Sequence, residues 1–137
     1  MSLINLDETF LPIGQMRQIT SVTVFAGRVI ECEMALPRTY WPFPVHFPDD
    51  PILPGSLIIE AAGQVTALWA WADGQRGKPR MVKTTAEFRA PAGPEDGKLV
   101  FKAMVKRKQN MNFGSVSVLC NGEEIAKVEN CIVVVKE

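Results

Sequence analysis

Residues 55–72, GSLIIEAAGQVTALWAWA, restrict the fold more than any other part of the chain. Leu57, Ile58, Ala61, Ala62, Val65, Leu68, Trp69 and Ala72 recur at spacings of three and four, which predicts a helix from Gly55 to about Ala72. Apolar residues spill over most of the circumference, so this helix is enclosed by other structure and does not lie on a surface. A run of about 20 apolar residues can also be a membrane span. Here Glu60 near its middle would cost roughly 2.5–3.5 kcal/mol, and no positive flank marks an orientation, so no membrane span is expected. The one polar strip carries Glu60 and Gln64, a turn apart on the same face. A carboxylate on an enclosed helix needs either a partner, such as an arginine, or a task.

What encloses the helix is read from the rest of the chain. Ile19 to Ala26 and Arg28 to Leu36 are rich in β-branched residues with polar ones interleaved, and they predict two strands turned at Gly27. Pro12 and Gly14 leave room only for a short helix or turn before them. After the helix, Asp73 to Pro79 is a polar, glycine-containing loop. Strands follow at Met81 to Arg89, around Leu99 to Lys106, at Gly114 to Cys120 and at Ile125 to Val135. Gln109 to Asn112 makes one turn and Asn121-Gly122 another, the latter a strong hairpin signal. Two strands, a long buried helix and four more strands predict an α+β fold, an antiparallel β-sheet wrapped around a long central α-helix. At 137 residues this is one domain, residues 1–137.

Composition excludes several classes of function. Fifteen basic residues balance fifteen acidic ones, which offers no basic face for nucleic acid. The three cysteines, Cys32, Cys120 and Cys131, are scattered, so neither a disulfide framework nor a thiolate metal site is indicated. With His46 as the sole histidine, no metal and no other cofactor is expected. The first 15 residues lack the basic start and continuous apolar core of a signal peptide, so a cytoplasmic location is expected.

The chemistry concentrates just before and within the helix. His46-Phe47-Pro48, Pro51, Pro54-Gly55, Leu57, Glu60-Ala61 and Gln64 follow one another at fixed spacing, with the histidine and the acid 14 positions apart. This stretch resembles the active-site segment of the 3-hydroxyacyl-[acyl-carrier-protein] dehydratases of bacterial fatty-acid synthesis, the FabZ and FabA type. It fits the pattern H-F-P-x-x-P-x-x-P-G-x-L-x-x-E-A-x-x-Q. Glu60 in place of aspartate resembles the branch that dehydrates without isomerising. Val45 stands where glycine is common, and Asp49-Asp50 replaces a glycine-containing pair. Phe88-Arg89-Ala90-Pro91 resembles a further strand end of the family. The resemblance implies the hot-dog fold.

It also implies roles. Dehydration of a 3-hydroxyacyl thioester removes a proton at C2 and hydroxide at C3. An imidazole near its ordinary pKa of about 6.5 suits the first task and a protonated carboxyl the second. His46 is the expected base and Glu60 the expected acid, each contributing on the order of 10²–10⁴ in rate. The Gly55 amide at the helix start is the expected donor to the thioester oxygen. Gln64 either orients the acid or bonds within a dimer. Trp41, Phe43, Phe47 and Leu53 are candidates for an acyl pocket, though the aromatics could equally pack beneath the loop. The expected partners are an acyl carrier protein and a second copy of the chain, with a higher oligomer of such dimers left open. In that dimer each site takes its histidine from one protomer and its acid from the other. Arg76, Lys78, Arg80 and Lys83, or Lys106, Arg107 and Lys108, could receive an acidic carrier, or simply be solvated. Two other functions remain open: a hot-dog acyl thioesterase, which would not need a histidine in such a loop, and a non-catalytic acyl-binding protein.

Overall fold

The computed structural model describes all 137 residues. Six strands, β1 (Ser21–Ala26), β2 (Val29–Leu36), β3 (Lys78–Phe88), β4 (Gly97–Lys108), β5 (Met111–Cys120) and β6 (Glu123–Lys136), surround one helix, α1 (Gly55–Ala72). All neighbouring strands are antiparallel, in the order β1-β2-β4-β5-β6-β3. The chain leaves β2 near one end of the sheet, passes along α1, and re-enters at the opposite edge as β3. This is the hot-dog arrangement expected from the sequence. Within α1, Leu57, Ile58 and every residue from Ala61 to Ala70 are buried, against alternating inward residues such as Leu99, Phe101, Ala103 and Val105 of β4. The helix is enclosed because the sheet curves around it, and strand β6 contributes Ala126, Val128, Cys131 and Val133 to the same core.

Helix α1 has the predicted bounds. Pro54 precedes it, and the chain turns away through Asp73 and Gly74, whose φ of 96° suits glycine. The Asn121-Gly122 turn joins Cys120 to Glu123 with φ of 51° and 83°, the positive pair that a two-residue hairpin turn requires. Several strand boundaries depart from expectation; β4 and β6 each start two residues early, at Gly97 and Glu123. Strand β3 begins at Lys78, not Met81, because pairing runs out to Lys78↔Lys136, so the loop after α1 is shorter. Strand β5 begins at Met111, not Gly114, since Lys108 pairs with Met111 and only Gln109 and Asn110 form the turn. Strand β1 begins at Ser21, because the amides of Gln18 and Ile19 donate to the Gln64 side chain and not to a neighbouring strand.

Candidate functional site

The loop carrying His46 closes on itself. The Ile52 amide donates to the His46 carbonyl at 2.9 Å, and Phe47 and Asp50 exchange amide-to-carbonyl bonds at 3.1 and 3.0 Å. The three prolines of the loop remove donors that would otherwise need acceptors, which leaves these few bonds to define its path. The Leu53 amide donates to the Ala92 carbonyl at 2.7 Å, so the loop rests against the segment after β3. Nδ1 of the imidazole lies 3.3 Å from the Ile52 carbonyl oxygen. A carbonyl only accepts, so Nδ1 carries a hydrogen, and in the neutral ring the lone pair is then on Nε2. The ring is half-buried and stacks on Phe47, with centroids 4.5 Å apart.

Glu60 is half-buried on α1, in the wall of an open groove of about 540 Å³. Gly63, Gln64 and Ala67 continue that wall, Phe10 to Pro12 cover one side, and Lys78 to Met81 of the edge strand form the other. Gln64, expected on a polar strip, is 3% exposed and donates to Glu60 Oε2 at 2.9 Å. Its partners Met16, Gln18 and Ile19 have no signal in the sequence, because no local pattern marks bonds to backbone groups 45 to 48 residues away. At the start of α1, the first amide bonds within the helix come from Leu57 and Ile58 to the Pro54 carbonyl, so the Gly55 amide has no intrahelical acceptor. The Phe88 ring lies against Gly55, where a Cβ would stand 2.9 Å from Cζ.

The structure brings Glu60 and Gln64 together, and it sets His46 and Gly55 at opposite ends of the 46–55 loop. Within the chain His46 does not line the groove at Glu60. Of the acyl-pocket candidates, Phe43 and Leu53 belong to the core, while Trp41 and Phe47 are 39% and 51% exposed. Among the basic residues considered for a carrier, Lys78 and Arg80 line the Glu60 groove. Arg76 lies 4.1 Å over the Trp71 ring, and Arg107 pairs with Asp73 at 3.1 Å. No helix is long and apolar enough to cross a membrane.

Comparison with known proteins bears on the family and the fold. The family model of the FabA-like domain matches residues 11–129. The chain is similar to the 3-hydroxyacyl-[acyl-carrier-protein] dehydratase FabZ of Brucella melitensis biotype 2 and to that of Brucella abortus strain S19, each 31% identical over 91 residues. The match takes in 64% of this chain and spans 58% of the length of each relative. Among solved structures, the dehydratase heterocomplex ApeI:P from Xenorhabdus doucetiae superposes with a TM-score of 0.80 at 14% identity, over 98% of this chain and 92% of that one. A thioesterase from Staphylococcus aureus superposes with a TM-score of 0.68, also at 14% identity, over 85% and 93%. At such identity these two structures speak for the fold alone.

Proposed function

Because the chain belongs to the FabA-like family, we propose that it removes water from a 3-hydroxyacyl thioester carried on an acyl carrier protein and releases the trans-2-enoyl thioester. The observation that carries the reading is the state of Glu60, whose Oε2 accepts from Gln64 while the carboxyl borders an open groove. In the reaction His46 Nε2 takes the proton from C2. The C2–H electron pair becomes the C2=C3 bond, the C3–O bond breaks, and the departing hydroxyl leaves as water with the proton of Glu60. The Gly55 amide donates to the thioester oxygen as charge gathers there. Passing the proton from His46 back to Glu60 through solvent resets the site.

Residues 1–137 act as one domain, and two copies complete each site. Two features support pairing. Strand β3 leaves the sheet with a long exposed edge carrying Met81, Val82 and Phe88, and the His46 loop exposes Trp41, Val45 and Phe47. A partner's loop laid over the Glu60 groove would cover both and bring a histidine to the acid.

The test offers a 3-hydroxyacyl thioester of an acyl carrier protein and follows enoyl absorbance and free thiol separately. Enoyl product without thiol is expected, lost in His46→Ala and in Glu60→Gln, whose amide cannot deliver the proton. Thiol without enoyl product would make the protein a thioesterase, and neither product would make it an acyl-binding protein.

A further inference from the structure

The direction in which Glu60 faces is set by groups well outside the acid and base. Both ends of the buried Gln64 amide are used. Oε1 accepts from the backbone amides of Gln18 at 2.8 Å and Ile19 at 3.2 Å; Nε2 donates to the Met16 carbonyl at 2.6 Å and to Glu60 Oε2 at 2.9 Å. Backbone amides only donate and a carbonyl only accepts, so turning the Gln64 amide over would break three bonds to the main chain at once. Glu60 Oε2 is therefore an acceptor in either charge state, and a proton on this carboxyl resides on Oε1.

The three backbone groups that dictate this order lie in residues 16–19, between a short turn and β1. That segment has no strand partner for the amides of Gln18 and Ile19; Arg17 ties it outward, donating to the Pro12 carbonyl at 2.9 Å and pairing with Asp7 at 2.7 Å, and the buried Gln18, 2% exposed, ties it inward. Gln18 Nε2 donates to the Gln15 carbonyl at 2.8 Å, and Gln18 Oε1 accepts from the Tyr40 hydroxyl. The Tyr40 ring packs edge-on against Phe43 and Trp41, with centroids 5.7 and 6.3 Å away. Burial pushes its phenol up to about 12, so the hydroxyl stays a donor at neutral pH. Tyr40 stands six residues before His46, on the stretch that leads into the catalytic loop.

We propose that Gln18 and Tyr40 are positioning residues for the acid step: by pinning the backbone of residues 16–19 they fix the Gln64 amide, and so hold the Glu60 proton on Oε1. The inference rests on Glu60 being the acid. It assigns Tyr40 a task apart from aromatic packing, and one hydrogen bond then joins the stretch before the base to the helix of the acid within a chain.

Tyr40→Phe keeps the ring and removes only the hydroxyl, and Gln18→Met keeps length and removes the amide. Two readouts separate the inference from the reading beneath it. In ¹⁵N-labelled protein, the Gln64 side-chain amide protons should exchange slowly with solvent, and about tenfold or more faster in Tyr40→Phe. In the dehydration assay, kcat should fall about tenfold in each variant, the weight of one lost hydrogen bond, with KM within about twofold. The double variant should be no slower than the slower single one, because both act through one bond. Unaltered Gln64 exchange in Tyr40→Phe, or faster exchange with wild-type kcat, overturns the inference alone. A wild-type protein that does not dehydrate overturns Glu60 as the acid, and this inference with it.

Discussion

Replacing Gly114 of β5 by alanine tests how closely the sheet grips helix α1. A Cβ at Gly114 would lie 2.3 Å from Thr66 Oγ1, 3.1 Å from its Cγ2 and 3.3 Å from its Cβ, where ordinary contact is 3.4–4 Å. Rotating Thr66 only exchanges the hydroxyl for the larger methyl, and it breaks the 3.1 Å bond from Oγ1 to the Ala62 carbonyl. The strand and helix must therefore part, at a cost of about 1–3 kcal/mol for an overpacked core position. Thr66→Ala alone should cost about 1–2 kcal/mol through lost methyl burial and the space left behind. In the double variant the new methyl occupies that space and only the 3.3 Å contact with Cβ remains, so its cost should fall short of the sum by about 1–2 kcal/mol. Urea unfolding of the four proteins measures this, at one protomer concentration because pairing of copies would couple to stability. Turnover should follow stability, since Thr66 lies six residues beyond Glu60 on the same helix. Additivity within about 0.3–0.5 kcal/mol would refute the close-approach argument.

Two further perturbations probe other parts of the account. Gln75 and Asn112 form a buried reciprocal amide pair at 2.7 and 3.0 Å, and Asn112 also donates to the Val133 carbonyl at 3.1 Å. Asn112→Leu orphans these groups where the chain leaves α1, and should lower the unfolding free energy by about 2–5 kcal/mol in urea; a loss below about 0.5 kcal/mol would contradict it. Burial pushes the Cys32 thiol up to about 12 from 9.0 and the Tyr40 phenol to about 12 from 10.0. Each group is neutral in the fold and ionises first when unfolded, so its contribution is complete below its unfolded value and is lost as pH rises through the folded one. Stability should decline between about pH 9 and 12, less steeply in Cys32→Ala; denaturation midpoints at pH 8 and pH 11 give the comparison.

The parts of this molecule that the sequence discloses are those governed by local periodicity or by spacing. Helix α1 is legible from its apolar repeat, the β5–β6 turn from Asn121-Gly122, and the His46–Glu60 segment from prolines and glycine at set intervals. Strand β3 is harder to delimit because most of its side chains are exposed, which removes the alternation that marks a half-buried strand. The Gln64 network is hidden for a different reason: its partners are main-chain groups, which every residue carries, and only the fold chooses among them. Tyr40 adjoins Trp41 in an aromatic stretch of the sequence, yet its hydroxyl donates to Gln18, 22 residues earlier, which no local pattern marks. Burial likewise divides four residues of similar chemistry, placing Phe43 and Leu53 in the core and Trp41 and Phe47 at the surface.

In the proposed dehydratase site His46 of one protomer acts with Glu60 of its partner, and mixed dimers test that sharing. His46→Ala and Glu60→Gln chains are unfolded together in equal amounts and refolded, with wild type treated identically as the reference. Random pairing makes half the dimers mixed, and each mixed dimer then holds one site with both lesions and one intact site. Dehydration should return to about a quarter of the wild-type rate. If both residues act within one chain, every site carries a lesion, and a mixture that stays inactive beside an active refolded wild type would contradict the account.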